Sequence, residues 1–525
     1  MFLRTTGSAL AVLVLTAPAF AAVTPAEVWQ NWIEYYKANG YTVTEGARDE
    51  AGETLTLRDV VIAYKAPQDE ATVQFTLPEV VLTGTGDGNV RTTLAETSPA
   101  TISFRNEDDE MVTLTGSLTM KDAEIVTSGE AADMTHDARA AEVVASLDSV
   151  RTAEQEKPFP LSLKMLNMTS RQHVVDGPLT RIDATMAADR IEWTGAFDDT
   201  DGESPARISF DGGIDRIQGS GSVATPKGID TAKDINAALK AGMSVNGTMT
   251  AGAGRFAFDF AGKDDDGNDQ AAKGSAGFEG AELTGGMSAD GLKYQGSADA
   301  TSAEMTGSDL PMPVSYAMQS TTFDLQVPVM KSESPVPFKF AYSIGGLTIA
   351  DGVWDLFDSA RVLPRDPASL DIDITGMAAL KADLLDPANL EDDADAATDA
   401  GPDGESAIDP DAQQDAQPFE PTEITVNKLA LDAAGARIDA SGALKVPDGG
   451  SMDAPVGKLT ARVEGANGLI DKLTQMGLIA EDQVAGFRMM LAMFAKPAPE
   501  GGDALVSELE FKEGGQIFAN GQQVK

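Results

Sequence analysis

Two histidines, His136 and His173, are the side chains of this sequence whose ordinary pKa would let them carry a proton near neutral pH, and there is no cysteine at all. A Ser–His–Asp relay needs one histidine, so such a relay is not forbidden. No G-x-S-x-G elbow accompanies either residue. His173 follows the polar run Thr169-Ser170-Arg171-Gln172 and reads as an exposed turn residue; His136 reads as exposed near the start of a helix. Without cysteine, thiolate nucleophiles, disulfides, thiolate zinc sites and iron–sulfur clusters are excluded. There is no H-E-x-x-H and no phosphate-cradling G-x-x-x-x-G-K-[ST]. Asp264, Asp266 and Asn268 imitate the first ligands of a calcium loop. Asp269 stands where that loop needs glycine, and the closing glutamate is missing, so an acidic turn is the better reading. Gly84, Gly86 and Gly88 lack the rest of a dinucleotide fingerprint and suit a hairpin turn. Asp371 and Asp373 alternate with apolar neighbours, which marks a wet strand face before it marks catalysis. No residue is therefore singled out as catalytic, cofactor-binding or metal-ligating.

The elements that would position any site are mostly strands. From 244 to 327 every second residue is apolar or small in run after run. Val245, Gly247 and Met249 form one such set, Phe256, Phe258 and Phe260 another, and Leu292, Tyr294, Gly296 and Ala298 a third. A period of two puts alternate side chains on opposite faces and predicts a sheet with one dry and one wet side. Similar runs are expected at 54–64, 72–81, 101–105, 112–120, 159–168, 179–186, 190–197, 206–210, 338–349, 423–446, 459–463, 505–511 and 516–524. Helices are expected at 24–40, 131–150 and 229–241, with a helical hairpin at 468–476 and 480–494. The first begins with Thr24, Pro25 and Glu27, a capping box, and spaces Trp29, Trp32, Ile33, Tyr35 and Tyr36 helically. That aromatic face suits a plug for one end of the sheet, or a ring-lined mouth for an apolar or carbohydrate ligand. Met489, Met490 and Met493 make a soft apolar patch on the hairpin, by default core packing.

Four segments follow. Residues 1–21 read as a cleavable secretory signal, with Arg4, an apolar run at 9–15 and Ala19-Phe20-Ala21 before the cut. Residues 22–385 form a β-rich body that starts with the aromatic helix. Residues 386–421, rich in Asp, Ala, Gln and Pro without Lys or Arg, read as a disordered acidic insertion. Residues 422–525 resume the sheet and carry the hairpin. Lys plus Arg number 39 against 83 Asp plus Glu, a net charge of −44, which opposes nucleic acid and anionic lipid headgroups as electrostatic partners. After signal cleavage no stretch is long and apolar enough to span a bilayer, so the expected location is the periplasm.

Certain motifs resemble a known family. Trp354-Asp355-Leu356-Phe357, Leu363-Pro364-Arg365-Asp366-Pro367, Gly442-Ala443-Leu444, Gly465, Leu469-Ile470, Met476-Gly477-Leu478 and Asn520-Gly521 are similar to exported alphaproteobacterial proteins known as domain of unknown function 2125. The resemblance implies a periplasmic protein and transfers no functional residue. The closing strand–Gly–strand and Asn-Gly pattern is loosely similar to AsmA-like envelope proteins, and that likeness implies curled sheets associated with lipid handling.

The expected fold is mainly β: a long curved antiparallel sheet or two-layer sandwich, with N-terminal and near-C-terminal helices. The dry face is expected to be covered by a second sheet or by helices as an ordinary core; left as an open trough, it needs a ligand or partner. The functional expectation is a non-catalytic envelope protein without cofactor that binds or passes lipid acyl chains along that face. The alternative is an interaction module for another envelope protein. A hydrolase would require a pocket converging on His136 or His173.

Overall fold

The computed structural model describes residues 23–38, 40–66, 71–106, 109–153, 155–199, 205–231, 233–264, 267–387, 418–447 and 454–525. The expected signal, most of the acidic insertion, and Asp266 of the calcium-like turn lie outside the described residues. Helix α1 (Pro25–Ala38) leads into strands β1 (Thr42–Thr44), β2 (Ala47–Ala51), β3 (Thr54–Lys65), β4 (Thr72–Gly84), β5 (Val90–Leu94), β6 (Thr97–Arg105), β7 (Met111–Lys121), β8 (Glu124–Glu130), β9 (Asp133–Arg151), β10 (Glu156–Val175), β11 (Leu179–Asp199) and β12 (Ala206–Pro226). After α2 (Ile235–Lys240) come β13 (Ser244–Ala251), β14 (Gly254–Lys263), β15 (Asp269–Phe278), β16 (Gly280–Ser288), β17 (Gly291–Gly307), β18 (Val314–Val327) and β19 (Ser332–Ile349). The chain then forms α3 (Asp351–Asp355), β20 (Ala368–Leu380), β21 (Phe419–Ala433), β22 (Ala436–Lys445) and β23 (Val456–Glu464). Helices α4 (Ala466–Gln475) and α5 (Glu481–Phe494) precede β24 (Lys496–Pro497), β25 (Ala504–Lys512), β26 (Gln516–Ala519) and β27 (Gln522–Gln523).

All 27 described strands belong to one antiparallel sheet. Its order is a meander, each long strand paired with the next in the chain. Five of its members are broken into two collinear pieces. β13 and β14, for example, lie end to end along β12, at 218–224 and 206–214. β15 and β16 do the same along β17, β5 and β6 along β4, β7 and β8 along β9, and β1 and β2 along β3.

The breaks mark a crease that crosses the strands. Five of the unbroken strands meet it with a residue at positive φ: Asp59 in β3 (51°), Asn167 in β10 (50°), Arg216 in β12 (49°), Ala300 in β17 (30°) and Gly346 in β19 (63°). At each of these the apolar alternation changes phase by one residue. Leu57 is followed inward by Val60, Met165 by Met168, and Ile214 by Ile217. An extra residue in the alternation bends a strand sharply and re-aims its side chains, the action of a β-bulge. Repeated in register, it folds the sheet along its length into two limbs. A short limb ends at the last residues of β19, and a long limb continues to the C-terminus.

The core is concentrated at one end. Val28 and Trp29 of α1 pack between Leu55 and Leu57 of the long limb and Val60 and Ile62 of the short limb, with Leu77, Val80, Leu82, Val90 and Met134. A single helix touching apolar residues from both sides of the crease shows that the two limbs turn their apolar faces toward one interior. The capping box forms as expected, with the Thr24 N–H donating to Glu27 Oε2 at 2.9 Å and the Glu27 N–H to Thr24 Oγ1 at 3.3 Å. Helix α2 seals part of the outer rim of the long limb. Its Lys240 Nζ donates to Asp383 Oδ2 at 2.6 Å and its Asn236 Nδ2 to the same oxygen at 3.2 Å. β12 and β20 are six strand steps apart, about 29 Å on a flat sheet, so this contact goes with a rim curled inward.

Three sequence expectations change. Residues 131–150 are not a helix but most of β9. Residues 179–186 and 190–197 are one strand, β11, crossing the crease. The helix expected at 229–241 is only the six residues of α2. The single creased sheet also replaces the two-layer sandwich.

Candidate functional site

The residues that sequence chemistry singles out do not converge. His136 lies on β9 beside Gln172 of β10, so His173 falls on the opposite face. His136 is buried, contrary to the expected exposure. Its Nδ1 is 2.8 Å from Thr127 Oγ1, and its ring lies 6.5 Å from that of Trp32. Burial pushes its imidazole below the ordinary value of 6.5. His173 sits on β10 rather than in a turn, with Nε2 2.7 Å from Asp133 Oδ1. Gly84, Gly86 and Gly88 belong to the β4–β5 hairpin, closed by the Thr85 N–H donating to Asn89 O. Asp264 turns β14 into β15 by accepting from the Asn268 N–H at 2.8 Å. Asp371 pairs with Lys428 at 2.8 Å, and Asp373 accepts from Asn427 Nδ2 at 2.9 Å. Among the described residues no cluster of three metal-ligating side chains occurs.

The feature that does converge is the inner face of the fold. Across the long limb, directly opposed residues form an unbroken row: Met186, Gly219, Met249, Leu283, Gly296 and Phe323. The row continues through Tyr342, Ile372, Leu429, Ala440 and Ala461. Two residues along each strand, or three along β21 where the register shifts, a parallel row includes Gly247, Gly285, Tyr294, Leu325, Phe340, Ile374 and Val426. The short limb faces these rows with Leu163, Trp193, Gly212 and Phe256, then Ala276, Ala303, Tyr316 and Ile349. None of these residues is charged. Ten strand steps make the first row about 48 Å long. With rows about 7 Å apart, the paired rows make a floor on the order of 600 Å², the upper end of what a soluble monomer leaves uncovered.

The lining of the two limbs is not a filled core. Met249 is 49% exposed, Phe340 46%, Tyr316 44% and Tyr294 42%. The outer face is the reverse in character. It carries threonine ladders, such as Thr248 to Thr284 at 3.0 Å, and ion pairs, such as Lys339 to Asp324 at 2.7 Å and Arg171 to Asp137 at 2.7 Å. The folded sheet is therefore a trough with a dry lining and a wet skin.

Glycines shape the lining. A Cβ at Gly296 would meet the Phe323 ring at 2.3 Å, one at Gly212 the Trp193 ring at 2.4 Å, one at Gly274 the Phe258 ring at 2.3 Å, and one at Gly195 the Phe210 ring at 2.3 Å. In each pair the ring lies across the glycine of the neighbouring strand instead of standing into the interior. Small residues that let a ring lie down keep the space above open, which is a recognised use of strand glycine where something must approach closely. The alternating Gly and aromatic residues were plain in the sequence, but their cross-strand partnership required the register.

The two ends differ. At the N-terminal end α1 fills the trough; Trp29 Nε1 donates to Glu45 Oε1 at 2.6 Å, while Tyr35 faces solvent. Toward the C-terminus the short limb stops, and the segment from α3 to Pro367 follows it. There Arg365 donates to Asp351 Oδ1 at 3.0 Å and to Asp355 Oδ1 at 2.7 Å, and its guanidinium carbon lies 5.8 Å from the centre of the Trp354 ring. Burial would raise the Asp358 carboxyl. The N–H groups of Val362 and Leu363 and the charge of Arg365 outweigh it and hold the group below its ordinary range. The Trp354 and Arg365 motifs thus make a structural clasp. The hairpin of α4 and α5 forms as expected but is not core: neither helix has a buried residue, and Met489 is 70% exposed. Among the described residues no helix is long and apolar enough to cross a membrane.

No curated protein matches the chain. Residues 355–518, which run from the clasp through the hairpin into β26, match the family described as "Uncharacterized protein conserved in bacteria (DUF2125)". That segment, under a third of the chain, is similar to the DUF2125 family.

Proposed function

We propose that this is an exported, non-catalytic envelope protein that holds or passes lipid acyl chains along its trough. The observation that carries the reading is the uncharged, half-exposed row from Met186 to Ala461, about 48 Å long. The occupant of such a lining must itself lack hydrogen-bonding groups over a long, narrow extent. A peptide strand would bring a donor and an acceptor at every residue, and the interior strands have already spent theirs on one another. An acyl chain brings none. Its length is about half of a bilayer's ~30 Å hydrocarbon core, so the row would take several end to end.

The test is native mass spectrometry and organic extraction of the protein purified from a bacterial host. Phospholipid or fatty acid bound in stoichiometric amounts is the expected result. A chain of bare mass whose extract contains no lipid would overturn the reading.

A further inference from the structure

We infer that α5 is a docking surface for an uncharged lipid bilayer, placed where the trough can exchange its contents. The exchange rests on the trough reading above; the docking does not. From Gly486 to Phe494 the only polar side chain is Arg488, and Asp471 of α4 already holds it at 2.6 Å. Met489, Met490, Met493, Phe487 and Phe494 are all exposed, so the helix offers apolar groups around most of its circumference. A protein partner would meet a polar rim around an apolar centre. This helix has no such rim on its C-terminal two turns, and it suits hydrocarbon, in which a helix satisfies its own backbone. Methionine adds an adaptable apolar surface. The net charge of −44 disfavours anionic headgroups and leaves a zwitterionic surface as the match.

The helix also abuts the lining. Ser507 of β25 is paired with Ala461, the last residue of the inner row, and its Oγ donates to the carbonyl of Phe494 at 2.6 Å. Asn520 Nδ2 donates to the same carbonyl at 3.0 Å. The C-terminal end of α5 is thereby tied to the end of the floor opposite the α1 plug, so α5 marks the mouth.

The experiment is flotation of the full chain with phosphatidylcholine vesicles, beside the double variant Met489→Asp, Met493→Asp. Both positions are solvent-facing, so the variant should fold. The wild type should float, and the variant should partition about tenfold less or weaker still, with its co-purified lipid unchanged. A wild type that stays unbound, or a variant that floats equally well, would overturn the inference. So would a wild-type dimer that the two aspartates dissociate without any flotation, since a second copy would then be the occupant. Flotation of a wild type that carries no acyl chain would leave the docking standing and remove the trough reading; bound lipid without flotation would do the opposite.

Discussion

At the scale of single residues, the lining works through pairs. Phe323 lies over Gly296 because the glycine leaves it room. Gly296→Val would put a branched side chain where the ring now rests, and the ring would have to rise into the trough. The expected outcome is a severalfold drop in lipid recovered per chain. Gly286→Val, on the outer face opposite Asn246, should leave the lipid content unchanged. Extraction followed by mass spectrometry checks both. His136 gives a second prediction, on stability. Its folded pKa is lowered by burial against α1 and β8. Above pH 6.5 both folded and unfolded chains hold the ring neutral, so it adds no pH dependence. As pH falls below 6.5 the unfolded chain takes up a proton that the folded one refuses, and stability declines until the lowered folded value is passed. Thermal unfolding followed from pH 8 to 5 should show this slope, and His136→Gln should flatten it.

At the scale of elements, the crease governs both the architecture and what could be read from the sequence. Each long strand alternates cleanly on either side of one phase change. That change is written in the residues: Met165 then Met168, Ile214 then Ile217. A three-residue step inside a run of alanines imitates a helix. In 131–150 the spacing of Ala141, Val144, Leu147 and Val150 suggested one, yet the residues that turn inward are Met134, His136, Ala140 and Val143. Ladders to β10 on one side and to β7 and β8 on the other override the alanine propensity there. The same phase change made β11 look like two strands. The capping box of α1, the helical hairpin and the sheet's two-sided character were legible because they depend on local spacing alone. The burial of His136 and the Gly–ring pairs were not, because they depend on which strand lies alongside. Ala300 supplies a test at this scale. It holds φ at 30°, where a Cβ is strained and glycine is not. Ala300→Gly should raise stability by about 1 kcal/mol, seen as a higher urea midpoint with an unchanged slope.

At the scale of the whole molecule, the chain is a folded ribbon with one end filled and the other bordered by apolar helices. Burial is generous around α1, where Val28, Leu57, Val60 and Val80 are fully enclosed, and sparse along the trough, where large side chains stay nearly half exposed. That imbalance is what the proposed acyl-chain reading rests on. The trough's lining follows from the alternation of apolar and polar residues, while its length follows from the meander order that stacks each strand on the last. The most direct test is site-specific photocross-linking with the reactive group placed at Phe323, on the lining, or at its chain neighbour Thr322, on the skin, in cells supplied with labelled fatty acid. Labelled lipid attached at position 323 and absent at 322 is the predicted result. Equal labelling at the two positions, or none at 323 in a folded protein, would contradict an acyl-chain trough.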